Sequence, residues 1–208
     1  MARRTPLEPG TDEHQEVSRL FNARNRSRGV SLNLVSVEKV RNDALEQRFR
    51  AKEREYREQS ARTGYGHVRI VDLWHGTRQE HVESILENNY DVARHGQGVG
   101  HRFGAGVSFS ALSGYASHYC DDHPIDYMLL NKVLISNIVE VQENFGGSPV
   151  LLEPPIIPGS SPPIRYDTTA KNAQRMDVIV KFDNDTFLPT HVVRFTRVHG
   201  AYYSDDSE

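Results

Sequence analysis

The sequence predicts an α+β domain, and three observations predict it. Segments rich in β-branched and aromatic residues are interleaved with short helical stretches, without the regular strand–helix–strand rhythm of a doubly wound sheet. No internal repeat and no heptad array runs through the chain. At 208 residues, with 37% hydrophobic and 25% charged content, the length suits one domain with a sizeable core.

The elements follow in order. Thr11 is suited to cap a short helix in which Val17, Leu20 and Phe21 fall at i, i+3 and i+4. Ser31 to Val37 reads as a half-buried strand. Asn42 caps the next helix, Asp43 to Tyr56, with Leu45, Phe49 and Tyr56 on one side and charge, the usual solvated face, around the rest. His67 to Trp74 is a strand by composition. Thr77 is placed to cap a helix whose apolar stripe is Val82, Ile85 and Leu86. A glycine-heavy loop from His95 to Gly106 precedes a short strand, Gly106 to Ser110, a helix from Ala111 to Tyr119, and a strand from Asn131 to Gln142. Residues 153–165 hold five prolines and are expected to be an extended surface loop. Two strands, Asp177 to Phe182 and Thr190 to Phe195, precede the tail. Residues 1–6 and 199–208 are expected to be flexible ends of a domain spanning 7–198.

Charge and cysteine content bound the setting. A net charge of −3 and a pI near 6.4 provide no electrostatic footprint for duplex binding, which disfavours nucleic acid as the main partner. Mean hydropathy is −0.61, and no apolar run approaches the roughly 18 to 20 residues of a membrane span. The N-terminal arginines lead into no apolar stretch, so no signal peptide is expected. One cysteine, Cys120, cannot form an internal disulfide. An intracellular setting, nuclear or cytoplasmic, is expected, and a monomer.

A set of spaced motifs goes further. Leu73-Trp74-His75-Gly76-Thr77 closes a strand; Phe103-Gly104-Ala105-Gly106-Val107-Ser108-Phe109-Ser110 forms a later loop and strand; Tyr119-Cys120 ends the following helix. Together they resemble the poly(ADP-ribose) polymerase catalytic domain, with its His-Gly-Ser/Thr turn, its Gly-x-Gly-Ile/Val-Tyr-Phe strand and its tyrosine-ending helix. Leu7 to Phe21, Leu34 to Tyr56, Tyr166-Asp167-Thr168 and the stretch from Asp177 to Phe195 resemble further blocks of that family. The resemblance covers roughly residues 7–197, leaves no room for the helical regulatory domain of polymer-making members, and is closest in outline to the mono-ADP-ribosylating branch. It implies the ADP-ribosyltransferase fold, two packed and mostly antiparallel sheets flanked by short helices. It also implies NAD⁺ as co-substrate and a protein acceptor.

The implied chemistry explains the residue types. Cleaving the nicotinamide–ribose bond passes through an oxocarbenium-like state, so fixed geometry and placed charge lower the barrier. By family likeness, Gly76 would offer its backbone N–H and C=O to the nicotinamide amide, where a side chain would block approach. His75 and Thr77 would hydrogen-bond the adenosine ribose, and Tyr119 would stack on the nicotinamide ring. The loop from Arg94 to Arg102, with Gly96 and the side chains of Arg94, His101 and Arg102, would cover the diphosphate.

Three positions depart from the family pattern. Ser108 stands where the family has its second triad residue, a tyrosine, and loses one stacking face. Ala116 stands where a serine bonds the carboxamide; Ser117 is its neighbour. Val178 stands where the polymer-forming glutamate sits, and a one-residue bulge would bring Asp177 there instead. Apolar residues in that third slot are typical of mono-transferring members. The first two changes would cost about 2–3 kcal/mol of nicotinamide binding, roughly 30- to 150-fold. The leading expectation is therefore an NAD⁺-dependent protein mono-ADP-ribosyltransferase with catalytic positions His75, Ser108 and Val178. The alternative is a pseudoenzyme binding NAD⁺, ADP-ribose or a protein. Transfer to a nucleic-acid phosphate, or NAD⁺ hydrolysis, is a third reading.

Other features read more plainly. The glycine loop has no Gly-Lys-Ser/Thr and no dinucleotide fingerprint context. His118, Cys120 and His123, with His95 or His101, lack a matching ligand pair, and no metal is expected. Cys120 reads as an inert thiol. Tyr115, four residues before Tyr119, reads equally as core stripe or as site.

Overall fold

The computed structural model describes residues 1–94, 101–145 and 149–199. In chain order they form β1 (Arg3–Pro6), α1 (Asp12–Ala23), β2 (Arg26–Ser27), β3 (Val30–Arg41), α2 (Asp43–Thr63), β4 (Arg69–Gly76) and α3 (Gln79–Asn88). There follow β5 (Val107–Phe109), α4 (Ser113–Ala116), β6 (Asp126–Ile135), β7 (Ile138–Glu140), β8 (Thr168–Ala170), β9 (Ile179–Lys181) and β10 (Phe187–His199). The first sheet has the order β1-β3-β10-β6-β4, with β2 also on β3; the second has the order β5-β9-β8-β7. Only β7 and β8 run parallel among the pairs described. This is the expected α+β architecture of two mostly antiparallel sheets. No helix of the described residues is long and apolar enough to cross a membrane.

Local chemistry sets the ends of the helices. Thr11 caps α1 as expected, its hydroxyl oxygen accepting from His14 N at 3.3 Å, and Val17 and Phe21 are buried. Asn42 does two jobs. Its Oδ1 accepts from Leu45 N at the start of α2, and its Nδ2 donates to the carbonyls of Leu86 and Glu87 at the end of α3. The α2 helix runs past Tyr56 to Thr63 and stops at Gly64, whose φ of 70° suits the left-handed C-cap. For α3 the expected cap is wrong. Arg78, not Thr77, occupies the N-cap without a side-chain bond, and Gln79 N donates instead to Asp121 Oδ2 at 2.7 Å.

Several strands differ from the sequence reading. Residues Arg3–Pro6, expected to be flexible, pair antiparallel with the edge of β3, where Arg4 forms ion pairs with Glu38 and Glu83. The single strand expected over 131–142 is two, β6 and β7. The chain leaves the first sheet at Ser136–Asn137, where both backbone N–H groups donate to Asp167, and it re-pairs in the second sheet. The expected helix over 111–119 is a single α turn followed by a 3₁₀ turn, Ser117–Tyr119. The acidic tail after His199 lies outside the described residues.

Two main clusters fill the interior. One gathers Leu73, Leu86, Tyr90, Phe109, Ile179 and Phe187 among others, between the sheets; the other places Phe21, Trp74, Leu130 and Phe195 beneath α1. Lys181, wholly buried in β9, is held by Asp167 Oδ1 at 2.5 Å and Thr168 Oγ1 at 2.8 Å. Burial pulls the Lys181 ammonium below its usual pKa, with Asp167 opposing. Asp167 thus joins the β6–β7 crossover to β9. Because Asp167→Ala leaves a buried charge unpaired, it is expected to lower unfolding free energy by about 3–5 kcal/mol in urea titration, with Lys181→Met costing less. A loss below about 1 kcal/mol would contradict this account of the pair.

Candidate functional site

The site forms where the two sheets meet. β4 is the edge of the first sheet and β5 the edge of the second. They share two hydrogen bonds, Trp74 N to Ser110 O at 2.7 Å and Ser110 N to Trp74 O at 2.9 Å. Beyond that bridge the strands part, and a cleft of about 670 Å³ opens between them, a size usual for small-molecule sites. Strand alternation orients its wall. Trp74 turns its N–H and C=O outward to Ser110, so Gly76, two residues on, turns its own outward into the cleft.

Gly76 is required by packing as well as by access. A Cβ there would lie 1.8 Å from the carbonyl oxygen of Ala116 and 3.2 Å from Cys120 Sγ. The α4 turn therefore rests directly on the end of β4, which carries Ala116 and Tyr119 to the cleft beside His75, Gly76 and Thr77.

His75 is fixed on three sides. Its Nδ1 lies 2.8 Å from the carbonyl oxygen of Ser108. A carbonyl can only accept, so Nδ1 carries the proton and Nε2 is left as an acceptor. The ring meets Tyr90 edge-on at 4.6 Å between centroids and lies 5.7 Å from Phe109. Burial pulls the imidazole down to a pKa of about 4, against the partial support of Ser108. His75 is neutral at physiological pH, which suits accepting a hydrogen bond from a hydroxyl.

The structure gathers most of the expected residues and leaves some aside. His75, Gly76, Thr77, His101, Ser108, Ala116 and Tyr119 all line the cleft. Ser117 does not: it is buried, and its hydroxyl donates to Gly114 O within its own turn. Val178 is buried with Phe103 and Val180 and does not line the cleft. Asp177 does not line the cleft either, and its carboxylate pairs with Arg175. Arg102 turns away to Glu143 at 3.0 Å. Arg94 ends a 3₁₀ turn, Val92–Arg94; its side chain, and Gly96, lie outside what is described.

Tyr90 is a site residue the sequence reading missed. Its hydroxyl donates to Asn131 Oδ1 at 2.8 Å, while its ring steadies His75. Tyr90 lies two residues past the end of α3, an aromatic directly after the stripe of Val82, Ile85 and Leu86. The polar side of α3 was missed too, since His81, Ser84 and Asn88 line the cleft at helical spacing.

The cysteine and histidines behave as ordinary side chains. Cys120 Sγ donates to Tyr127 O at 3.1 Å, and burial pushes the thiol up to about 12. His118 bonds Ser27. Among the described residues the group able to converge on one point is Asp121, His123 and Asp126, not His118, Cys120 and His123. Within it Asp126 is already engaged by Arg197 and Asp121 by Gln79 N.

Two sheets joined edge to edge, with a neutral histidine, a bare glycine backbone and a tyrosine facing one cleft, define an α+β domain with a single-cleft site where the sheets meet. The profile of the poly(ADP-ribose) polymerase catalytic domain matches residues 11–146, and the chain belongs to that family. It is 25% identical over 214 residues to human protein mono-ADP-ribosyltransferase PARP11, covering 91% of this chain and 58% of that protein. It is 24% identical over 196 residues to mouse protein mono-ADP-ribosyltransferase PARP12, covering 93% of this chain and 25% of that protein. The chain thus spans only part of the length of these relatives.

Two measurements check the geometry. In NMR titration the ring protons of His75 are expected to show a midpoint near 4. The unfolded imidazole takes up its proton below about 6.5, so this group's contribution of up to about 3 kcal/mol to stability is lost as pH falls from 6.5 to 4. A midpoint above 6 would contradict the burial and the tautomer. Gly76→Ala forces a methyl group into the Ala116 carbonyl, and it is expected to cost about 1–3 kcal/mol by denaturant unfolding.

Proposed function

We propose that this chain transfers a single ADP-ribose unit from NAD⁺ to a protein acceptor and releases nicotinamide. The observation that carries the reading is the convergence of His75, the outward backbone of Gly76 and the ring of Tyr119 on one cleft of a poly(ADP-ribose) polymerase fold. The relatives named above are mono-ADP-ribosyltransferases, in keeping with it.

The residues present fit the dinucleotide. Gly76 turns one N–H and one C=O into the cleft, matching a carboxamide's acceptor and donor. The Nε2 of His75 would accept from a ribose hydroxyl, with Thr77 beside it. The polar face of α3, with His81, Ser84 and Asn88, would meet the rest of the nucleotide. NAD⁺ supplies the ADP-ribosyl group and the leaving nicotinamide. The chain's part is to hold the bond to be broken between fixed dipoles, shielded from water. Val178 is buried and apolar and offers no carboxylate to polarise a ribose hydroxyl for a second addition. Transfer stops at one unit, and an acidic acceptor or the ribose itself supplies the polarisation.

Ser108 and Ala116 would also suit a module that binds without transferring. The transferase reading stands ahead because the histidine, glycine and tyrosine remain assembled and the named relatives are transferases. The test is incubation with labelled NAD⁺. Native protein is expected to label an acceptor or itself with one unit per site by mass spectrometry, and His75→Ala to label about tenfold more slowly, the scale of one lost hydrogen bond. Equal labelling of the two proteins would end this reading; binding of NAD⁺ without label would move it to the module.

A further inference from the structure

Ser108 and Val180 lie directly opposite each other across β5 and β9, so their side chains leave the sheet on one face. Phe103, Val178 and Val180 form a buried cluster there, and Tyr115 packs against it. Tyr115 also lines the cleft, which neither valine does. Its ring therefore lies between the cleft and the place where a third catalytic group would stand.

The same ring is tied to Tyr119, the other tyrosine of this segment that lines the cleft. The hydroxyls of Tyr115 and Tyr119 are 2.9 Å apart, and their rings meet edge to face, with centroids 5.7 Å apart and planes inclined at 62°. Burial, reinforced by the bond to Tyr119, holds the Tyr115 hydroxyl above its ordinary pKa, so it stays protonated and able to donate. Gly76 and Ala116 line the cleft beside this pair.

We propose that Tyr115 is the second aromatic wall of the nicotinamide end of the cleft, in place of the ring that Ser108 lacks, and that its hydroxyl bond to Tyr119 sets the spacing of the two walls. This rests on the NAD⁺ reading above and names a positioning residue for it. A planar aromatic carboxamide is held with one face on Tyr119 and an edge against Tyr115. A ligand with no such ring takes nothing from Tyr115. The same ring covers Val178, so an incoming hydroxyl finds an aromatic wall in the third slot.

The experiment uses two probes on the whole chain by calorimetry: benzamide, which has the ring and carboxamide alone, and ADP-ribose, which has no ring. Tyr115→Leu keeps an apolar side chain on the cluster but removes the wall; Tyr115→Phe keeps the wall. Benzamide is expected to bind Tyr115→Leu about tenfold more weakly than native, and Tyr115→Phe within about threefold of native. ADP-ribose should bind all three within about twofold, a split that general loosening of the fold would not produce. Adding Ser108→Tyr to Tyr115→Leu restores a ring on the same face and should recover benzamide affinity. Should Tyr115→Leu melt below the assay temperature, Tyr115→Met gives the same readout. Equal loss of both probes, or unchanged benzamide binding in Tyr115→Leu, overturns the proposal. So does a native chain that binds ADP-ribose but not benzamide. A native chain that binds neither overturns the NAD⁺ reading and this proposal with it.

Discussion

The two sheets share one reciprocal pair of backbone hydrogen bonds, between Trp74 and Ser110, and the site depends on where that pairing stops. Had the ladder continued through Gly76, the outward N–H and C=O of that residue would be consumed by β5 and no cleft would open. A second tie, from His75 Nδ1 to the Ser108 carbonyl, follows the bridge and sets the ring as the strands separate. Backbone bonding therefore builds the floor, and the imidazole reads its orientation from that floor. The bare carbon of Gly76 lets α4 settle on the strand end, which is what brings Tyr119 to face it.

Around this junction the polar groups are neutral and oriented rather than charged. His75 loses its proton affinity to burial, and Tyr90, anchored on Asn131, holds the imidazole edge-on. The fixed charge of the second sheet lies elsewhere, in the Lys181–Asp167 pair. There it fastens the crossover between the sheets and takes no part in lining the cleft. Oriented neutral acceptors at this junction suit a reaction in which positive charge develops on a sugar ring, because they stabilise that charge without reorganising.

Much of the fold was legible residue by residue. Thr11 and Asn42 announce helix starts because their short polar side chains meet free N–H groups, and the stripe of Val82, Ile85 and Leu86 marks a buried helical face. The strand at Arg3–Pro6 was not legible, since its partner is a sheet edge distant in sequence and its residues are polar. Thr77 looked like a cap and is not one, because the N–H it would have met is taken by Asp121 from another part of the chain. Nothing in the strand around Lys181 announces that both faces of β9 are covered, with Asp167 and Thr168 making the burial of its ammonium tolerable.

For the site, the spacing of His75-Gly76-Thr77, Gly106 to Ser110 and Tyr119 was enough to name the family and the main lining residues, because those groups act from backbone positions that local sequence dictates. Local sequence could not say which side chains the folded chain would hide. Ser117 bonds into its own turn, Val178 sinks beneath Phe103 and Tyr115, and Arg102 is drawn to Glu143. Tyr90 and the polar face of α3 enter the cleft only because the end of α3 is carried there by contacts with distant residues. Chain order determined the motifs and their turn and strand conformations, which depend on near neighbours. Tertiary structure decided exposure, partner and facing direction, since these depend on residues that the fold alone brings into contact.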